Sequence, residues 1–375
     1  MELRRGREEG HYTALLAGGR LVNYYQPIVD LVSGALIGIE TLARLQDTHQ
    51  IVMPGVFLPK LSLKALDALL FSSLDHGLAM LNRLNSHPGL CITFNVSPNV
   101  LLRPGFVADF LARLANAGIA PHRITLEILE NDEFLHLSAA RRQLEALHGA
   151  GIKIALDDLG TGYSSLTRLR DFPVDTIKLD QTFVRNVRRN PDSLHFVLSI
   201  LSLARGLRKL LVVEGVETDD IRDALVMLGA TAAQGHAIAW PMPEASLQTW
   251  LADYVPAPAD RTPRTLLGAF GAHLRLVEAC HMAAGQPLDV TWSPGAEGAH
   301  GCAVGRFLDA QALHDTAYGE AHMRFHLATQ RYGFADPAWI EASTELLDAF
   351  KAAILTKEDR PAETLHASSA EACAS

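Results

Sequence analysis

Short apolar runs alternate along this chain with longer stretches of helical periodicity. Ala35–Ile39, Cys91–Phe94, Ile124–Leu126, Ile152–Leu156, Val174–Ile177, Leu210–Val213 and Thr231–Ala233 read as β-strands. Between them, stretches such as Ser138–His148 and Ser193–Leu207 place apolar residues at helical spacing. Strand alternating with helix predicts parallel strands, and eight such repeats close into a barrel. The expected fold class is therefore α/β, a TIM-like (β/α)8 barrel. In such a barrel the functional groups gather at the C-terminal ends of the strands.

Each run ends in a side chain able to bind a cation or donate a hydrogen bond. Glu40, Asn95, Glu127, Lys178, Glu214 and Gln234 follow their strands directly, with Glu130 three residues beyond Glu127. The strand Ile152–Leu156 runs into Asp157-Asp158-Leu159-Gly160. Two adjacent carboxylates at the end of a buried strand repel each other unless cations neutralise them, which points to a metal and to phosphate chemistry. Taken alone, the pair reads more readily as an acidic cap on the next helix. The other strand-end groups decide, because isolated buried charges are heavily penalised and a convergent set of them needs a purpose.

Val255–Pro263 is proline-rich and reads as a stiff linker. Beyond it the pattern predicts helices over Leu266–Ala284, Ala310–Arg331 and Pro337–Thr356. With a short one after Cys302 they make a small all-α four-helix bundle. This part carries His273, His281, His300, His314, His322 and His326. His322 and His326 share a helix face at i, i+4, a spacing that chelates a metal but also arises by chance.

Composition narrows the class. The chain has 375 residues, 48% of them hydrophobic, and a formal net charge of −9, so no broad basic field for nucleic acid is expected. Its four cysteines are scattered and suggest no disulfide framework, which fits a reducing cytoplasm. Met1–Gly10 is charged and lacks the apolar core of a secretory leader, and no apolar run reaches the ~20 residues of a membrane span, so no membrane insertion is expected.

The barrel region resembles the EAL domain, the cyclic di-GMP phosphodiesterase of bacteria. The resemblance covers roughly residues 8–255. It rests on Tyr25–Val29, Glu40–Arg44, Phe94–Ser97, Leu126–Glu130, the Asp157-Asp158 loop, Ile177–Asp180, Val213–Thr218 and Gln234-Gly235. It implies hydrolysis of cyclic di-GMP to the linear 5′-phosphorylated dinucleotide with two Mg²⁺ or Mn²⁺ ions per active site. Glu40, Asn95, Glu127 and Asp157 would hold the first ion; Asp157 and Asp158 would hold the second, with Glu214 near it. Lys178 and Gln234 would serve the lytic water, Gln26 and Arg44 the substrate, and Glu130 the loop Gly160–Ser165. The chain departs from the family pattern at Leu159, where phenylalanine is common, and at His236, where tyrosine is usual.

The tail resembles the CZB domain, a bacterial zinc-binding sensor, through Cys302–Leu308 and His322-Met323-Arg324-Phe325-His326. The resemblance implies a closed Zn²⁺ site of His273, Cys302, His322 and His326. Phe307 stands where that family often has tryptophan. The expected organisation is a barrel over 8–255, a linker over 256–263, a helical zinc-binding domain over 264–358 and a flexible tail over 359–375. The leading expectation is a cytoplasmic, homodimeric, zinc-regulated phosphodiesterase. The alternatives are a non-catalytic receptor for the dinucleotide and a zinc-controlled interaction scaffold.

Overall fold

The computed structural model describes residues 2–84, 87, 89–129, 137–159, 165–283 and 298–358. The chain divides into two compact units. One comprises Met1–Thr182, Ile200–Glu217 and Ala230–Ala259, the other Phe183–Ser199, Thr218–Gly229 and Asp260–Ser375.

The first unit holds ten strands: β1 (Leu21–Asp30), β2 (Leu36–Asp47), β3 (Gln50–Val52), β4 (Cys91–Asn95), β5 (Ile124–Leu129), β6 (Lys153–Leu159), β7 (Thr176–Leu179), β8 (Leu210–Val213), β9 (Ala232–Ala233) and β10 (Met242–Pro243). Pairing runs β1-β9-β8-β7-β6-β5-β4-β2, and β2 returns to β1, which closes an eight-stranded barrel. From β2 through β9 the barrel pairs are parallel, as the alternating pattern predicts. β1 departs from that expectation and runs antiparallel to both β2 and β9. The turn after β1 is too short for a helical crossover, so it makes a hairpin. Asp30 sets that turn: its Oδ1 accepts from the amides of Val32 and Ser33 and from the Ser33 hydroxyl.

Ile92, Phe94, Ile124, Leu126, Ile154, Leu156, Ile177 and Leu179 are buried and, spaced i, i+2, share one face of the barrel wall, opposite Glu127, Asp157 and Lys178. The alternate positions Thr93, Thr125, Ala155 and Lys178 are buried as well, so these strands are covered on both faces. Surrounding helices cover the wall, among them Leu63–Arg83, which buries Leu70, Leu74, Leu78 and Leu81. The start of the proline-rich segment is not a free spacer. Tyr254 donates its hydroxyl to the carbonyl of Gly34 at 2.5 Å, and the amide of Ala259 donates to Val32 at 2.9 Å.

The second unit contains helices Leu266–Ala283, Gly298–Gly301, Ala303–Gln311, Ala317–Arg331 and Pro337–Glu358, together with Asp219–Leu228 from between β8 and β9. The helix foreseen over 310–331 is broken. Ala312 is left-handed at φ 52°, and Thr316 then caps a new helix by accepting from the amide of Gly319. Helix Leu266–Ala283 packs closely on Asp219–Leu228 through Gly268 and Gly271, where a Cβ would press on Asp223 and on the carbonyl of Ala224. Asp223 also accepts from the amides of Arg264 and Thr265, at 2.9 Å each, and from the Thr265 hydroxyl at 2.8 Å. Asp223 thus anchors Thr265, whose hydroxyl oxygen caps the longer helix by accepting from the amide of Gly268 at 3.0 Å. No helix among the described residues is long and apolar enough to cross a membrane. Residues 359–375 lie outside the described residues.

Asp223→Ala is expected to lower stability by about 1–2 kcal/mol through loss of its bonds to Arg264 and Thr265. Gly268→Leu should cost more, because it drives a side chain into the same carboxylate. Urea unfolding of both variants checks the order.

Candidate active site and metal centres

The barrel places most of the foreseen groups around one cavity of about 250 Å³. Strand register does this directly. Gln26 pairs across from Glu40 on the β1–β2 ladder, and Asn95 pairs with Glu127 on β4–β5. Gln26, Glu40, Asp157, Lys178, Glu214 and Gln234 line the cavity. Leu42, Gln181, Gly215, Glu217, Gly235 and His236 line it too.

Lys178 stands at the centre. Its Nζ lies 3.1 Å from Glu40, 2.7 Å from Glu127, 2.6 Å from Glu214 and 3.7 Å from Asp157. Burial pulls its pKa down, but Glu127, Glu40, Glu214 and Asp157 together hold it well above the ordinary lysine value. The acids answer differently. Burial pushes Glu127 well above the usual carboxylate range, and repulsion from Glu40, Asp157 and Glu214 adds to what Lys178 only partly offsets. Burial also lifts Glu214, to about 7. At Glu40 burial is outweighed by Lys178 and by hydrogen bonds from Gln234 and Asn95, and its pKa falls below the ordinary value.

A hydrogen-bonded string links Gln26 to the acids. Gln234 donates through Nε2 to Glu40 at 2.7 Å and to Gln26 at 2.8 Å, and Gln26 donates to the carbonyl of Ala239 at 3.1 Å. Asn95 donates to Glu40 at 3.3 Å. Yet Glu127 Oε2, Asp157 Oδ1 and Gln234 Oε1 are buried with no hydrogen-bond partner. An orphaned buried acceptor costs about 1–3 kcal/mol. Hard oxygen donors left open in this way, with four carboxylates facing one ammonium, fit a divalent cation of the Mg²⁺ or Mn²⁺ type.

Not every foreseen residue arrives. Arg44 is buried, donates to the carbonyl of Ala43 and lies over the ring of Tyr24 at 5.4 Å; it is not among the cavity residues. Glu130, the loop 160–164 and the side chain of Asp158 lie outside the described residues. Sequence reasoning missed Trp240. It is 65% exposed and stacks on His236 with ring centroids 3.5 Å apart. The i, i+4 spacing after Gly235 was the available signal.

The second unit gathers a different donor set. Cys302, His322 and His326 are buried, with ligand atoms all within 4.8 Å of one another. Cys302 Sγ lies 3.1 Å from His322 Nε2 and accepts from the amide of Gly305 at 3.2 Å. His273, the fourth foreseen ligand, is buried but stands outside that mutual distance. Its Nε2 meets the Ser343 hydroxyl at 3.2 Å, and its ring is edge-on to Phe325. His273 Nδ1, His322 Nδ1 and His326 Nε2 have no hydrogen-bond partner. Burial pushes His273 and His322 down to about 3, so both imidazoles are neutral near pH 7. Neutral imidazoles beside a sulfur fit a borderline transition cation such as Zn²⁺.

Comparison with known proteins bears on the first unit. The EAL domain family profile matches residues 10–241. The cyclic di-GMP phosphodiesterase RocR of Pseudomonas aeruginosa is 38% identical over 232 residues, which is 61% of this chain and 59% of RocR. An uncharacterised protein of Synechocystis, sll1895, is 32% identical over 236 residues, 61% of this chain and 34% of that protein. The chain thus spans less than two thirds of the length of these relatives. Among solved structures, the PaMucR phosphodiesterase in complex with c-di-GMP aligns with a TM-score of 0.58 at 30% identity, covering 64% of this chain and 99% of that one. The EAL domain of Mycobacterium smegmatis DcpA aligns with a TM-score of 0.53 at 30% identity, over 64% of this chain and 99% of that one. An eight-stranded barrel with acids, glutamine and lysine at its strand ends, matched over most of its length, makes this chain a member of the EAL domain family.

Proposed function

We propose that the chain hydrolyses cyclic di-GMP to the linear 5′-phosphorylated dinucleotide with the help of divalent cations. The observation that carries this reading is Lys178 seated among Glu40, Glu127, Asp157 and Glu214, with oxygens of Glu127 and Asp157 left unbonded. The likeness to RocR and to the dinucleotide complex of PaMucR supports the choice of substrate.

Glu40, Asn95, Glu127 and Asp157 would hold one cation, and Asp157, Asp158 and Glu214 a second. When bound, such a pair supplies Lewis acidity toward the phosphoryl oxygens and the attacking water. The chain's own groups do the rest. Gln234 is fixed by Glu40 and Gln26 and keeps its carbonyl oxygen free to orient water. Gln26 faces the substrate from β1. Lys178 steadies negative charge developing beside it. Arg44 serves only indirectly, by bracing the β1–β2 wall that carries Glu40.

We further propose that Cys302, His322 and His326, joined by His273, bind Zn²⁺ and that this centre regulates turnover. Its support is the buried cluster, with unpartnered ring nitrogens on His322 and His326, and a third such nitrogen on His273.

Purified protein with Mn²⁺ should release the linear dinucleotide, measured by chromatography; no product from the wild type overturns the reading. Glu40→Ala should lower turnover by at least about 100-fold with the fold retained. Asp157→Asn should cost far more activity than Leu159→Phe, since only the former weakens cation binding.

Lys178→Met leaves four buried acids without their shared counter-charge. In chelated protein it should lower stability by about 3–5 kcal/mol. Excess Mg²⁺ should recover much of that loss, because a cation can replace the ammonium among the same oxygens. Thermal unfolding with and without Mg²⁺ reads this difference, and an equal loss in both conditions would contradict the cation assignment.

Cys302→Ala should lose one tightly held zinc equivalent by metal analysis after dialysis, while the barrel stays folded. A zinc-selective chelator, with Mg²⁺ in excess, should change the turnover of the wild type but not of Cys302→Ala. Retention of that tight equivalent by the variant would remove the site; its loss with turnover unmoved would leave it a structural centre only.

A further inference from the structure

A second group of possible ligands lies on the same unit, outside the buried thiolate–imidazole cluster. His300 comes from helix Gly298–Gly301, Asp309 from helix Ala303–Gln311, and His314 from the connection that follows. His300 Nδ1 is 2.9 Å and His314 Nε2 is 2.6 Å from the same oxygen, Oδ1 of Asp309. The two rings are 5.1 Å apart, and one ligand atom from each residue falls within 4.8 Å of the others. The side chains are 68%, 44% and 31% exposed for His300, Asp309 and His314, so an ion reaches them from solvent.

The backbone under both histidines is held in place. A Cβ at Gly305 would overlap the carbonyl oxygen of Ala299, next to His300. The Arg306 guanidinium also donates to the carbonyl of Gly301. A Cβ at Gly319 would overlap the carbonyl oxygens of Leu313 and His314. Two close glycine contacts thus fix the segments that carry the rings, and Asp309 bridges them from a helix.

Exposed imidazole–carboxylate bonds by themselves contribute little to stability. Their convergence is the informative part. The atoms that now aim two ring N–H groups at one oxygen would, with those protons lost or the tautomers switched, aim electron pairs at one cation. We infer that His300, Asp309 and His314 form a second, exchangeable site for a divalent transition cation such as Zn²⁺, Ni²⁺ or Cu²⁺. Two nitrogens and one carboxylate suit these ions and not Mg²⁺ or Ca²⁺, which favour all-oxygen shells. Three protein ligands leave positions for water, so the ion exchanges readily, unlike one in a closed four-ligand centre. The site also touches the buried cluster through a shared element. Gly305, which seats Ala299, is the residue whose amide donates to Cys302 Sγ.

The experiment is a calorimetric titration of the full chain with Zn²⁺ in excess Mg²⁺. The wild type should bind one more zinc equivalent than the double variant His300→Ala/His314→Ala. Asp309→Asn, which keeps the shape but removes the charge, should weaken the same step at least about ten-fold. Cys302→Ala should retain that step while losing the one assigned to the buried cluster, so the two sites succeed or fail separately. Circular dichroism establishes that the variants are folded. Equal stoichiometry and affinity in wild type and double variant would overturn the inference, as would disappearance of the weaker step in Cys302→Ala.

Discussion

The organising constraint is electrostatic: four carboxylates crowd into a low-dielectric cavity and must be kept from repelling one another apart. Lys178 answers it, with contacts to all four at 3.7 Å or less. The ammonium is over-engaged, and the acids are divided. Glu40, with the most hydrogen bonds, is held ionised, while burial drives Glu127 and Glu214 toward protonation. A site so poised takes up positive charge readily. The barrel supplies the rigidity: parallel register fixes Asn95 beside Glu127, and the β1–β2 hairpin fixes Gln26 opposite Glu40.

The helical unit solves a related problem with different chemistry. Burial of imidazoles keeps them neutral, which leaves nitrogens without partners rather than charges without counter-charges. Such nitrogens beside a sulfur favour a softer cation than the barrel's oxygens do. The unit's frame is set by close backbone packing. Gly268 and Gly271 let helix Leu266–Ala283, which carries His273, lie against Asp219–Leu228, and Asp223 ties the two at the helix start. The helix between the last two barrel strands is thus shared out of the barrel's own compact unit.

Much of this was legible in the sequence. The short apolar runs and the polar residue closing each one picked out Glu40, Asn95, Glu127, Asp157, Lys178, Glu214 and Gln234 from sequence alone. The i, i+4 spacing put His322 and His326 on one face, and their rings meet at 4.7 Å. These features are local: spacing along a strand or helix fixes which way neighbouring side chains point.

Tertiary structure decided what spacing cannot. The antiparallel course of β1 depends on a turn too short for a helix. The burial of Arg44 over Tyr24 depends on hairpin register. The break at Ala312 depends on Thr316 capping a fresh helix rather than continuing the old one. Which acids Lys178 pairs with, and that His300, Asp309 and His314 share one oxygen, follow from elements brought together by closure and packing. Sequence by itself determined the local donors and their faces, because backbone geometry repeats with a fixed period. Partners, burial and charge state were left to the fold, because each depends on residues distant along the chain and on the water they exclude.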